Sequence, residues 1–279
     1  MRKALFTTAI LSILSVGAFA QKWYIKAGVG YTMPMAAQTL DITNNAYSGN
    51  AVYNPQTDSI ASYSIKKASF STGVKGIVGL GYAINNHVSF EAAVNMGLSN
   101  TKYTSTQHNV KAPGGAYLAD NTITENAQFP VMLMPSAVFK TDKPKLNWYG
   151  RLGLVMPLKS EILIDLVSEY QSFIPNTEEI KGTLKTRFNV GFTGAGGVNY
   201  LAGKGVHVWA EFNFMSISLF AKETKITQHT GATNPNSAPL TGTTVSYGFS
   251  GQAGALQQPT FSIPYSNMGI SIGANFDIK

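Results

Sequence analysis

From Phe70 to Ser99 the chain alternates apolar with small or polar residues, broken only around Asn85-Asn86. After that break Val88, Phe90, Ala92, Val94, Met96 and Leu98 share one face, and Ser89, Glu91, Ala93, Asn95, Gly97 and Ser99 share the other. Before it, Val74, Val78, Leu80, Tyr82 and Ile84 oppose Lys75, Gly79, Gly81 and Ala83. A period of two means β-strand, and this one outlasts an ordinary strand of about five or six residues. Asn-Asn suits the tight turn of a hairpin, because Asn tolerates positive φ. A hairpin this long, apolar on one side only, has two physical solutions. Its apolar face packs into a soluble core, or it faces lipid.

Six more segments alternate in the same way. In Lys22–Thr32, Trp23, Ile25, Ala27, Val29 and Tyr31 oppose Tyr24, Lys26, Gly28 and Gly30. A strand over Ala127–Lys140 carries Phe129, Val131, Leu133, Ala137 and Phe139 on one face, weakened by Pro130 and Pro135, which cannot donate to a ladder. In Leu146–Met156, Leu146, Trp148, Leu152, Leu154 and Met156 face out, while Asn147, Tyr149, Arg151, Gly153 and Val155 face in. The others are Arg187–Leu201, Val206–Ala221 and Asn267–Lys279. Near Asn267 the parity breaks, since Phe261, Ile263 and Tyr265 alternate out of phase with Met268, Ile270 and Ile272; a bulge or a change of surroundings is expected there.

The eight strands are joined long, short, long, short, long, short, long. Outer-membrane barrels have short periplasmic turns and long extracellular loops, an even strand number, and strands of about nine to eleven residues. The expectation is an all-β chain: an eight-stranded antiparallel up-and-down transmembrane β-barrel with four long extracellular loops. The loops are polar connections of about 33–68, 102–125, 157–186 and 222–259. Within the third, residues 160–173 fit either a helix or strand extensions beyond the membrane, and the alternation of Ile162, Ile164 and Leu166 favours strands. Trp23, Tyr82, Trp148, Tyr200 and Phe276 lie near the short-turn ends, where an interfacial aromatic girdle belongs. A secreted β-sandwich explains the alternation but neither the long/short rhythm nor this placement.

The first twenty residues read as a secretory signal: Arg2 and Lys3, an apolar run to Val16, and Ala18-Phe19-Ala20 as a cleavage site, leaving residues 21–279 as the barrel. Taking Arg2 and Lys3 from the 21 basic side chains leaves 19 against 14 acidic, a net charge of +5. The charges are scattered, without the basic stripe of a nucleic-acid footprint. With no cysteine, neither a disulfide nor a lipid-modified cysteine is available.

The signal, the hairpin rhythm, the glycine-rich inward faces and the terminal Gly269-Ile-Ser-Ile-Gly-Ala-Asn-Phe-Asp-Ile-Lys279 resemble the small outer-membrane β-barrel proteins of Gram-negative bacteria, in the style of the "outer membrane protein beta-barrel domain" group common in Bacteroidota. The resemblance is architectural and covers residues 21–279. It implies the cell outer membrane as location, with lipid and lipopolysaccharide as surroundings. It carries no sharp catalytic motif, and no enzyme, cofactor or metal is expected. Two departures stand out. Phe276 is followed by Asp-Ile-Lys, whereas such barrels often end on an aromatic, and the peptidoglycan-binding domain of OmpA-type proteins is not expected after the barrel.

Counted from the short-turn end, Lys26, Glu91, Arg151 and Glu211 fall at one level of the inward faces. An eight-stranded barrel is just wide enough for side chains to fill it, and buried charges are costly unless paired. These four are expected to form a neutral ionic network that plugs the lumen, with Tyr149 adding a hydrogen bond and the partner of Glu91 left open between Lys26 and Arg151. A gated ion path is the alternative. Lys75 and Arg187 fall at the outer mouth, expected to meet solvent or loop carboxylates.

Of the four histidines, His87 and His207 fall on the periplasmic side, while His108 and His229 fall in loops. None has a Ser and an acid at triad spacing, and no His, Cys or carboxylate cluster suits a metal. The loops are rich in Asn, Thr, Ser, Gln and Tyr, a composition found in recognition surfaces as well as in plain hydrophilic coats. The reading is a barrel with a structural, binding or complex-subunit role, its loops meeting an extracellular ligand or another outer-membrane protein. The alternative is a narrow porin-like channel or one for small hydrophobic solutes.

Overall fold

The computed structural model describes residues 22–35, 41–42, 46–47, 49–57, 59–65, 68–111, 118–171, 177–231, 240–248 and 257–278. The expected signal, residues 1–20, lies outside them. The strands in chain order are β1 (Lys22–Pro34), β2 (Asp41–Ile42), β3 (Ala46–Tyr47), β4 (Gly49–Asn54), β5 (Ser59–Ile65), β6 (Gly73–Ala83), β7 (Val88–Gly97), β8 (Thr101–Lys111), β9 (Leu118–Ala127), β10 (Val131–Lys140), β11 (Leu146–Lys159), β12 (Ile162–Tyr170), β13 (Thr177–Thr186), β14 (Gly191–Gly203), β15 (Val206–Ser216), β16 (Ser218–Thr230), β17 (Thr244–Gly248), β18 (Gln257–Pro259), β19 (Ser262–Pro264) and β20 (Asn267–Ile278).

Eight of them close a barrel in the order β1-β20-β15-β14-β11-β10-β7-β6, every pair antiparallel. The turn at Asn85 forms because its side-chain oxygen accepts the backbone N–H of both His87 and Val88, each at 2.8 Å. The residues read as outward are exposed or half-buried, and those read as inward are buried or half-buried. Trp23 and Met33 stand on one outward row of β1, ten residues apart. At about 3.3 Å per residue and a tilt of about 40°, that row covers about 25 Å of membrane thickness, the height of an apolar barrel band. Trp23 and Tyr82 are cross-strand neighbours whose rings lie 4.8 Å apart, and Trp148, Tyr200 and Phe276 are exposed outward at the same end.

The four connections are not structureless. Most of their described length forms a second sheet, in the order β18-β17-β16-β13-β12-β9-β8-β4-β5, that carries the wall beyond the membrane. The strand alternative for residues 160–173 is the observed one, as β12. Several boundaries move accordingly. The strand expected over Ala127–Lys140 divides: Ala127 ends β9, Phe129 takes φ of 40° and Pro130 follows, so the barrel strand starts at Val131. The strand expected from Arg187 starts at Gly191. The one expected to reach Ala221 ends at Ser216, and the chain passes directly into β16.

Phe70, read as the start of a strand, lies in a buried irregular segment of residues 68–71. The parity break near Asn267 has the same origin. Residues 263–267 are buried as β19 gives way to β20, and Phe70 N–H donates to the Pro264 carbonyl at 2.9 Å. These two segments cross the outer mouth of the barrel, with the rings of Phe70 and Tyr265 6.1 Å apart. The hydrophobic core runs from there down into the lumen through Ile77, Met132, Met134, Val155 and Met215.

Candidate functional site: the filled lumen

Four inward side chains from four barrel strands meet at one level. Lys26 Nζ lies 3.2 Å from Glu91 Oε2 and 3.5 Å from Glu211 Oε2, and Arg151 Nη2 lies 2.6 Å from Glu211 Oε1. All four are at least 94 % buried. The partner of Glu91 left open by the sequence is Lys26, and Arg151 joins Glu211. Two phenols complete the acceptors: Tyr24 OH donates to Glu91 Oε1 and Tyr149 OH to Glu211 Oε2, each at 2.8 Å.

The small residues around the network explain why it fits. Gly79 is opposite Lys26, Gly81 and Ser136 flank Glu91, and Gly197 and Ser271 flank Glu211. A Cβ on Gly81 would come within 2.1 Å of the Tyr24 ring, so this glycine makes room for the phenol that holds Glu91.

The sequence reading passed over Trp209. Its indole is buried in the lumen, 4.5 Å from Lys26 Nζ to the ring centroid, within the range of a cation–π contact. Gly28 and Gly273 are directly paired beneath it, and a Cβ on either would approach Trp209 Cζ2 to 2.4 or 2.5 Å. The signal was available: Trp209 has inward parity, and a Gly–Gly pair on the neighbouring strands marks a place where something large must lie.

Above the network the lumen is apolar, filled by Ile77, Met132, Met134, Val155 and Met215, and above that come residues 68–71 and 263–267. Below it a polar vestibule opens at the short-turn end, lined by residues including Tyr24, Lys140, Asn199, His207 and Asp277. Lys75 does not meet solvent or a carboxylate as expected. It is 98 % buried and donates to Ser71 Oγ at 3.1 Å, because the two crossing segments close the mouth over it. Arg187 is half-buried and its Nη2 donates to the Tyr247 carbonyl.

The histidines divide by position. His87 and His207 are at the short-turn end, His207 Nε2 lying 3.6 Å from Asp277. His108 is exposed beside Asp120 at 3.3 Å. His229, expected in a loop, is in β16 with its side chain buried. Its Nε2 lies 2.6 Å from Glu178, which also accepts from Tyr170 OH at 2.7 Å, and its Nδ1 accepts from Leu240 N–H at 3.1 Å. This arrangement ties three strands of the outer sheet together. Among the described residues no group of three or more His, Cys, Asp or Glu side chains is placed to hold a metal ion.

A family model agrees with this architecture. The family model described as "Outer membrane protein beta-barrel domain" matches residues 6–251. No curated protein sequence matches the chain. Among solved structures, the outer membrane protein OprG from Pseudomonas aeruginosa is similar over 94% of this chain and 98% of its own, with 10% identity and a TM-score of 0.46. Ail, the attachment invasion locus protein of Yersinia pestis, solved in complex with the heparin analogue sucrose octasulfate, is similar over 93% of this chain and 100% of its own, with 9% identity and a TM-score of 0.33. The closed eight-stranded barrel and a family match over most of its length make this chain a member of the outer membrane protein beta-barrel domain family, located in the outer membrane.

Proposed function

We propose that this protein is a plugged barrel that works through what it presents outside the membrane, in a structural, binding or complex-subunit role and without catalysis. The observation that carries this is the filling of the lumen at three successive levels: the paired charges with Trp209, the apolar layer around Met132, Met134 and Met215, and the crossing segments at the outer mouth. An ion moving through would have to break buried pairs that are costly to break and then cross an apolar layer. Meanwhile the chain extends its wall far beyond the membrane as a wide β-sheet, and sheet-borne surfaces rich in small polar residues and Tyr suit recognition. The partner is an extracellular ligand or a neighbouring outer-membrane protein.

Proteoliposomes carrying the purified chain should not swell in small sugars, and the tagged chain should retain a stoichiometric partner from native outer membranes. That partner should be lost when β8–β9 and β12–β13 are shortened to tight turns. Rapid swelling with no retained partner overturns the proposal. A second reading, passage of small apolar solutes, draws on the methionine-rich layer, since Met side chains re-pack readily around a guest. Saturable uptake of such a solute, abolished by Met134→Trp, would favour it.

A further inference from the structure

Residues 68–71 and 263–267 are unusual for buried backbone. Residues 68–71 belong to no strand and are held chiefly by side chains, whereas residues 263–264 pair with β16 and Asn267 belongs to the β20 ladder. Tyr103 OH donates to the Ser69 carbonyl at 3.1 Å and accepts Ser69 N–H at 3.0 Å, and Asn267 Nδ2 donates to the Ser71 carbonyl at 2.8 Å. Thr32 Oγ1 donates to the same carbonyl at 3.1 Å, and Lys75 holds the Ser71 hydroxyl from below. Lifting the strap of residues 68–71 breaks a handful of such bonds and the Phe70–Pro264 backbone bond, and leaves the barrel ladders intact.

Glu125 lies on the outer side of the strap. It is paired in register with Tyr103 on β8 and Ile164 on β12, and it is 95 % buried. Among the described residues no hydrogen bond or ion pair reaches its carboxyl. The groups that face it are the phenols of Tyr103 and Tyr265, and the Tyr265 hydroxyl is itself buried without a partner. The nearby cations are engaged elsewhere, Lys75 with Ser71 below the strap and Arg187 with the Tyr247 carbonyl.

We propose that residues 68–71 form a lid on the lumen, and that ionisation of Glu125 loosens it. A protonated carboxyl is tolerated among Tyr103, Ile164 and Tyr265, whereas a carboxylate there meets no compensating cation among the described residues and gains by hydration when the lid lifts. Burial accordingly pushes the Glu125 carboxyl up to about 7. The sign follows. The closed lid is favoured while Glu125 is protonated in both states, and it weakens as pH rises from the ordinary carboxylate range through the raised value. Each unit of difference changes the closed/open ratio tenfold, so the whole transition is on the order of a few hundredfold. The lid is separate from the question of conduction, because the apolar layer and the ion pairs lie beneath it.

The test uses the full chain in proteoliposomes. Ala68→Cys places a thiol on the lid, and its rate of modification by a small thiosulfonate reagent is divided at each pH by that of an exposed Ser62→Cys control. The ratio should rise from pH 5 to pH 8.5 on the parent background and stay flat and low with Glu125→Gln added. Should the cysteine variant fold poorly, amide hydrogen exchange of residues 68–71 in the unsubstituted chain, corrected for intrinsic pH dependence, reads the same opening. A flat ratio or flat exchange in the parent overturns the proposal, as does a rise that survives Glu125→Gln.

Discussion

Lys26 Nζ lies over the Trp209 indole, 4.5 Å from the ring centroid, while the same nitrogen bridges Glu91 and Glu211. The centre of the lumen is therefore one packed unit, in which a cation, an aromatic face and two carboxylates depend on the small residues beside them.

That dependence makes Gly28 and Trp209 sensitive. Gly28→Ala would drive a Cβ to 2.4 Å from Trp209 Cζ2 and 2.6 Å from the Ile272 carbonyl. It should destabilise the barrel by about 1–3 kcal/mol, the usual range for overpacking. Trp209→Ala should cost about 3–5 kcal/mol through the void it leaves. Urea titration read by heat-modifiable migration on a gel measures both. A Gly28→Ala variant as stable as the parent would mean that the indole is not held where it lies.

The ion pairs predict an asymmetry. Glu91→Gln leaves Lys26 facing Glu211 alone and strips Tyr24 of its charged acceptor, so it should cost about 3–5 kcal/mol. Glu91→Gln with Lys26→Met should cost less than Glu91→Gln with Arg151→Met, because Lys26, not Arg151, pairs directly with Glu91. Equal double-mutant costs in the same unfolding assay would dissolve the assignment of partners.

On the lipid face, Leu154 is exposed near mid-strand, and Leu154→Arg should cost about 2–4 kcal/mol at the bilayer midplane. Gly150→Ala should be neutral, since a Cβ there meets nothing within 4 Å. The inward Gly153 behaves differently from what its lumen position suggests. A Cβ would meet Ser136 Oγ at 2.2 Å and the Pro135 carbonyl at 2.4 Å, so Gly153→Ser should destabilise rather than pass unnoticed. Refolding yields of the three variants into lipid vesicles check this order.

Glu125 gives the outer sheet a pH dependence of defined sign. Its carboxyl rises from 4.5 to about 7 in the fold, so the stability linked to it is full below pH 4.5 and is lost as pH climbs through 7. Glu125→Gln should match the parent at pH 4 and exceed it at pH 8 by about 3 kcal/mol. Chemical unfolding midpoints at the two pH values provide the comparison, and an equal gap at both would mean that Glu125 does not titrate in the fold.

The barrel was legible because lipid enforces one rule on every strand: apolar residues at every second position from Trp23 to Tyr31, and again from Val88 to Leu98. Of the outer sheet only β12 was legible, from Ile162, Ile164 and Leu166; the rest was not, because water allows both faces to be polar. β8 turns Ser105 and Gln107 inward beside Thr104 and Thr106 outward, so no hydrophobic period marks it as a strand. The lid was hidden for the opposite reason. Phe70 continues the alternation of the strand after it, and only the packing against Tyr265 and Pro264 takes it inside. In the lumen, charge parity located Lys26, Glu91, Arg151 and Glu211, but pairing depends on reach across the barrel, which strand adjacency does not fix.

The closed lumen is the central claim, and single-channel recording in planar bilayers tests it most directly. The unmodified chain should be silent, because the ion pairs, the apolar layer and the crossing segments close every level of the path. Steady, well-resolved unitary currents from the unmodified protein would contradict it.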